Sequence, residues 1–200
     1  MLPVMLNTEN KLCVVVGAGK TSLRKTKSLI ESGAKVRVIS PLFSDGFEEL
    51  EVEKIHSKYQ KNLIKDAFLV ITATNDRQLN LQVIKDAHSI GIFASSVTAD
   101  IESDFYSCSI ADMGKLKIAV STEKSFPKLS AKICREIEKE YEIYKDLCPI
   151  LEHYRKKVIS ENRDNSNELL SEMISDKAVE IFRSSKEEYV KYIEEILKHI

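Results

Sequence analysis

Cys13-Val14-Val15-Val16-Gly17-Ala18-Gly19-Lys20-Thr21-Ser22 is the stretch that decides the fold. Its apolar run ends in a glycine pair, and a basic amphipathic segment follows from Leu23 to Glu31. The pattern reads as a strand, a tight turn and the start of a helix. In such a turn Gly17 permits the sharp bend, Gly19 lets the backbone approach a pyrophosphate, and the small Ser22 allows helix and sheet to pack closely. Free N–H groups and the positive end of the helix dipole then face the phosphates. A second β-type run at Val36, Val38 and Ile39 follows Ser32-Gly33. That βαβ context turns a weak glycine motif into the reading of a dinucleotide site.

The same rhythm continues downstream. Ser44 to Glu53 reads as a short acidic helix and Lys54 to Tyr59 as a polar third strand. Ala67 to Thr74 is a continuous apolar run suited to a central parallel strand covered on both faces. Asn75-Asp76 then caps a helix over Arg77 to Ser89, whose apolar face is Leu79, Val83, Ile84 and Ala87. Gly91 ends that helix and Ile92 to Ser95 forms a fifth strand. An α/β architecture follows, a Rossmann-like parallel sheet with helices on both faces. Ligands in such sheets sit at the carboxyl ends of the strands, so the loops after Val16, Ile39, Ala73 and Ser95 are expected to converge on one crevice.

From Phe105 the texture changes. Phe105 to Ile110 and Leu116 to Ser121 read as strands joined by the turn Ala111 to Lys115, giving a small hairpin, and Pro127 opens a helix. The remainder is helical by its apolar spacing: Leu147, Ile150, Leu151, Tyr154 and Val158, then Leu169, Leu170, Met173 and Ile174, then Tyr189, Ile193, Ile196 and Leu197. A polar break at 161–166 separates the first two of these groups.

Composition narrows the function classes. With 200 residues, 43% of them hydrophobic, the chain has enough apolar surface for a real core. A net charge of -1 argues against nucleic acid or an anionic membrane as partner. Cys13, Cys108, Cys134 and Cys148 contain no CxxC pair, which leaves buried reduced thiols as the expectation. His56, His88, His153 and His199 are scattered, so no metal site is predicted. The start of the chain turns polar too quickly for a signal peptide, and no run reaches membrane-spanning length. A cytoplasmic protein is expected.

Three features occur together in order: the glycine turn with Leu23-Arg24-Lys25; Ala73-Thr74-Asn75-Asp76 with Asn80 beyond it; and Ile118 to Thr122 ahead of Pro127 and Leu129. From Val4 to Tyr141 the sequence resembles the precorrin-2 dehydrogenase family, the N-terminal domain of siroheme synthases, and its helical tail is similar to that of monofunctional bacterial members. The resemblance implies a Rossmann domain over 1–112, a β-hairpin/helix dimerisation region over 113–142 and a C-terminal helical domain over 143–200. It further implies a homodimer that oxidises precorrin-2 to sirohydrochlorin with NAD, in siroheme or other tetrapyrrole biosynthesis; some members also insert iron. Carried onto this chain, Gly17, Gly19, Lys20 and Thr21 would hold the pyrophosphate, Ser40 would lie near the adenosine ribose, and Thr74 and Asn75 near the nicotinamide.

The chain also departs from the family pattern. An aspartate is usual where Thr98 stands, with Asp100 two residues later; a proline is usual at Cys108 and glycines at Glu123 and Lys124. These changes bear on the tetrapyrrole end of the site. Asp100 is the candidate catalytic base and Asp104 the alternative, either of which would also have to serve any metal insertion. Ser121 either orients substrate or caps the turn that follows. Ser40 replaces the acidic residue usual about twenty residues beyond a glycine turn, with no arginine directly after it, so NAD rests on the resemblance and NADP stays open. Lys124, Lys128 and Lys132 lie in a basic stretch that suits a polycarboxylated substrate, and a solvated helix face is the alternative. A second function class stays open as well: a non-catalytic Rossmann scaffold that binds a dinucleotide or tetrapyrrole for a partner enzyme.

Overall fold

A computed structural model describes residues 2–98, 100–122, 126–161 and 165–199. The chain divides into two compact units, Met1–Tyr106 and Ser107–Ile200. In the first, β1 (Leu12–Val16), α1 (Lys20–Glu31), β2 (Lys35–Ile39), β3 (Glu53–Ile55), β4 (Leu69–Thr72), α2 (Arg77–His88) and β5 (Phe93–Ser96) follow one another, with a 3-10 turn at Lys61–Ile64. The five strands form a parallel sheet in the order β3-β2-β1-β4-β5.

The unbroken apolar run of β1 is explained by its central place. Side chains alternate across a strand, so Val14 and Val16 feed one core with Val70, Val83, Ile84 and Ala87, while Cys13 and Val15 feed the other with Leu29, Val38 and Phe47. Burial from Cys13 to Val16 is complete or nearly so. Burial also pushes the Cys13 thiol up to about 11, which leaves it protonated. Helix α1 turns its small residues Ser22 and Thr26, with Leu29, into the interior, and the Ser22 hydroxyl donates to the Gly17 carbonyl. Helix α2 buries Val83, Ile84 and Ala87 as its periodicity predicts, and Asp76 caps it by accepting from the N–H groups of Gln78 at 2.9 Å and Leu79 at 3.1 Å.

Two local expectations fail here. No helix forms over 44–53: Gly46 takes a φ of +93°, the Glu48 carboxylate binds its N–H at 2.8 Å, and Phe47 turns inward to complete burial. The acidic residues suggested a helix, whereas the buried phenylalanine and the glycine dictate an irregular loop. The third strand is short, Glu53–Ile55, and Arg37 on β2 fastens it, binding Glu53 at 2.7 Å and Asp66 at 2.7 Å.

The second unit contains β6 (Ser109–Met113), β7 (Leu116–Val120), α3 (Pro127–Glu140), α4 (Tyr144–Ser160), α5 (Ser166–Glu172), α6 (Asp176–Ser184) and α7 (Lys186–His199). The hairpin forms, but β6 begins at Ser109 rather than Phe105 and runs on through Ala111 and Met113. Both side chains are buried with Cys134 of α3, so their alternation extends the strand to a tight turn at Gly114-Lys115. A separate core joins Leu147, Tyr154 and Val158 of α4 to Leu169, Met173, Tyr189 and Ile193. At its centre the buried Tyr189 hydroxyl donates to the Met173 carbonyl at 2.8 Å. Helix α6, in the stretch read as helical but without an apolar stripe of its own there, closes that core with Ala178. Ile174, expected inside, is 59% exposed. All four cysteines are free; Cys108 is exposed and Cys148 half-buried, against the expectation of four buried thiols.

Candidate functional site

A cleft of about 840 Å³ opens at the carboxyl ends of β1, β2 and β4. Its floor is Gly17-Ala18-Gly19, one wall is Ser40 to Ser44, and the other is Ala73 to Asp76 with Gln78, Leu79 and Gln82 of α2. Three of the four predicted loops thus converge. Among the described residues the loop after β5 is not part of the lining, and Thr98 and Asp100 are bound to α2 instead.

Backbone geometry fixes the floor. The Gly17 N–H donates to the Ile39 carbonyl at 2.8 Å, and the Ala73 N–H to the Val16 carbonyl at 2.8 Å. Gly17 has a φ of +105°, and a Cβ there would sit 2.6 Å from the Ala73 carbonyl oxygen. Only glycine fits that approach. At Gly19, by contrast, a Cβ would meet nothing within 4 Å, so this glycine leaves space. Gly19 is also the N-cap of α1 with no side chain to cap it, and the first turn holds no acidic residue. The N–H groups of that turn and the open space above Gly19 together suit a pyrophosphate.

Of the residues predicted to hold a dinucleotide, Gly17, Gly19, Ser40, Thr74 and Asn75 line the cleft. Lys20 and Thr21 are exposed on the first turn of α1 without being part of the lining. The Ser40 hydroxyl donates to the Leu42 carbonyl at 2.6 Å. Phe43 packs beside this loop against Phe47 and His56, with ring centroids 5.5 and 4.6 Å away. Tyr59 on the same side gives its hydroxyl hydrogen to Asp86 at 3.1 Å.

Asp100 is exposed and held by Arg77, whose Nε and Nη2 both lie 2.8 Å from its Oδ2. That hydrogen bond holds the Asp100 carboxyl below the usual carboxylate range. Asp104, the alternative base, is bound to the Ala94 N–H at 2.7 Å and to His88 Nε2 at 2.8 Å. It braces the beginning of β5 rather than its carboxyl end. Ser121, Lys128 and Lys132 belong to the second unit, where all three are exposed and Lys132 pairs with Glu136 at 3.4 Å. Lys124 and its neighbour Glu123 lie outside the described residues. Among the described residues no group of three or more His, Cys, Asp or Glu is arranged to hold a metal.

Sequence reasoning gave no role to Arg77 and none beyond a motif match to Asn80. Asn80 is completely buried, with Oδ1 accepting from the Thr74 hydroxyl at 2.7 Å and Nδ2 donating to the Thr74 carbonyl at 2.9 Å and the Thr98 hydroxyl at 3.1 Å. The available signal was an amide on the buried stripe of α2, since a buried polar side chain must find partners.

A five-stranded parallel sheet with a glycine turn opening a cleft at its carboxyl edge defines a dinucleotide-binding Rossmann domain. Residues 4–109 match the family described as "Putative NAD(P)-binding", and the chain belongs to this NAD(P)-binding family. It is similar to the siroheme synthases of Chromobacterium violaceum, at 30% identity over 140 residues, and Nitrosococcus oceani, at 31% over 141 residues. Each alignment covers 68% of this chain and 30% of the relative, so the chain spans about 30% of the length of these curated relatives. In three dimensions it shares the fold of a solved protein titled "SirC, precorrin-2 dehydrogenase", with 24% identity, a TM-score of 0.84 and full coverage of both chains.

Proposed function

We propose that this protein is an NAD-dependent precorrin-2 dehydrogenase that produces sirohydrochlorin for siroheme or another tetrapyrrole. The observation that carries this reading is the similarity to siroheme synthases over 140 residues, beside an NAD(P)-binding family match over residues 4–109. The fold shared with a precorrin-2 dehydrogenase is compatible with it.

When bound, the nicotinamide would accept a hydride from the carbon being oxidised. Gly17, Gly19 and the first turn of α1, with Lys20 and Thr21, would cradle the pyrophosphate. Ser40, in place of an acidic residue, would face the adenosine ribose, and Thr74 and Asn75 would meet the nicotinamide end. Asp100 would take the proton that leaves with the hydride. Ser121, Lys124, Lys128 and Lys132 would engage the substrate carboxylates from the dimerisation region at 113–142, between the Rossmann domain at 1–112 and the helical domain at 143–200. Exposed apolar side chains at Phe126 and Leu129 support a homodimer there. Four free cysteines agree with a cytoplasmic setting, and among the described residues no helix is long and apolar enough to cross a membrane.

Incubating the purified chain with precorrin-2 and NAD is expected to yield sirohydrochlorin absorbance together with NADH. A folded chain that binds NAD and shows neither signal overturns the reading. Thr98, where the family carries an aspartate, favours the non-catalytic scaffold as the second reading; tight sirohydrochlorin binding without oxidation would select it.

A further inference from the structure

Arg77 and Asn80 stand three residues apart in the first turn of α2, and both reach the loop that follows β5. Arg77 directs Nε and Nη2 to a single oxygen, Oδ2 of Asp100, at 2.8 Å each. Asn80 Nδ2 donates to the Thr98 hydroxyl at 3.1 Å. The same Asn80 amide faces the loop after β4: Nδ2 also donates to the Thr74 carbonyl at 2.9 Å, and Oδ1 accepts from the Thr74 N–H at 3.3 Å and its hydroxyl at 2.7 Å. Oδ1 further accepts from the buried Thr72 hydroxyl. With both amide hydrogens and the carbonyl oxygen engaged, a completely buried Asn80 has one orientation and no spare capacity.

We propose that Arg77 and Asn80 are positioning residues, a two-point clamp that fixes the loop after β5 to the loop after β4 and so sets the Asp100 carboxylate relative to the nicotinamide end of the cleft. This rests on the reading of Asp100 as the base. Asp76 and Gln78, on either side of Arg77 in sequence, line the cleft. Both guanidinium nitrogens converge on Oδ2, so the ion pair itself does not use Oδ1. Among the described residues Arg77 is the charged group within ion-pair reach of Asp100. Its hydrogen bond holds the carboxyl below the usual range, so Asp100 is ionised wherever the enzyme would work. A clamp matters here because both side chains are about half exposed. A reacting group displaced by about 1 Å loses roughly 100-fold in rate.

The test combines Arg77→Gln, Arg77→Lys, Asn80→Ala and Thr98→Val with three measurements on the full chain: NADH affinity, kcat with precorrin-2 across pH, and titration of the Asp100 carboxyl followed by NMR. Arg77→Gln is expected to leave NADH affinity within about twofold while kcat falls roughly 10- to 100-fold. The acidic limb of kcat should also move up towards an ordinary aspartate. Arg77→Lys, which keeps the charge and loses the fork, should recover part of the rate. Arg77→Gln combined with Asp100→Asn should be no slower than Asp100→Asn alone. Asn80→Ala should weaken both NADH binding and kcat because it also releases Thr74. Should that variant not fold, Thr98→Val removes the second point of the clamp alone, lowering kcat with NADH affinity unchanged.

An Arg77→Gln enzyme with wild-type kcat and pH profile overturns the clamp, as does Thr98→Val with wild-type kcat. If the wild-type chain does not oxidise precorrin-2, the functional reading falls by itself. The Asp100 titration then decides the clamp: an upward move in Arg77→Gln sustains it, and an unchanged titration overturns it.

Discussion

The loop after β1 and the loop after β5 stand at the carboxyl ends of strands in one sheet, yet they are held by different means. The first is held by backbone: Gly17 donates to Ile39, lies under Ala73, and admits no side chain. The second is held by side chains, with Thr98 bound to Asn80 and Asp100 to Arg77. Backbone packing tolerates almost no exchange, whereas a side-chain tether can be rebuilt from other residues. The difference teaches where a family pattern has to persist and where it can drift. The glycine turn belongs to the first kind, and the tethers at Thr98 and Asp100 to the second.

Mutations can break that contrast, and stability is the common scale. Gly17→Ala is expected to have the largest effect, because it combines a forbidden φ with a Cβ 2.6 Å from an immovable carbonyl oxygen. Strain and overpacking of this kind cost roughly 2–5 kcal/mol, on the order of 10 °C in melting temperature. NADH titration should show binding lost along with the fold. A melting temperature close to wild type would mean the loop is not held by its backbone.

Asp76→Ala comes next. It removes the cap of α2, with both of its N–H partners at about 3 Å, and should cost about 1 kcal/mol, or roughly 2–4 °C. Gly19→Ala should cost less, under about 1 kcal/mol, since φ is -90° and the added methyl meets nothing. That methyl would still occupy the place of the pyrophosphate, so NADH affinity should fall by about tenfold or more. A calorimetric melt and a fluorescence titration on the same sample would separate the glycine that serves the fold from the one that serves the ligand.

How far the sequence could be read follows the same division. The run from Cys13 to Ser22 announced strand, turn and helix because each residue there answers to a local steric demand. The cap at Asp76 and the stripe Val83, Ile84 and Ala87 were legible for the same reason, being governed by helix geometry within one turn. The loop at 44–53 was misread because the burial of Phe47 depends on α1 and the sheet, which the acidic pattern does not reveal. The end of β6 was missed because Met113 is committed by its packing with α3. The tie between Arg77 and Asp100 joins residues 23 apart, and only the adjacency of β4 and β5 brings them together. Asn80 was within reach as a polar residue on a buried face, but its partners on two different loops were not.

Asp100→Asn should show the smallest effect on stability, and it tests the other side of the contrast. The carboxylate is 59% exposed and its partner Arg77 is 52% exposed, so water and salt screen the pair. The sign of its pH dependence follows from the depressed folded-state titration. The pair's small contribution is fully present above the ordinary aspartate range and is lost as pH falls through the lowered value. At pH 7 the variant should therefore melt within about 2 °C of wild type. NADH affinity should be nearly unchanged, because Asp100 is not part of the cleft lining. Turnover of precorrin-2 should fall by roughly 100-fold or more, the scale of a lost general base. Loss of rate without loss of stability or binding would mark the loop after β5 as built for chemistry, in contrast to the loop after β1. A variant that melts as low as Gly17→Ala would instead make Asp100 a structural residue, and the distinction between the two loops would disappear.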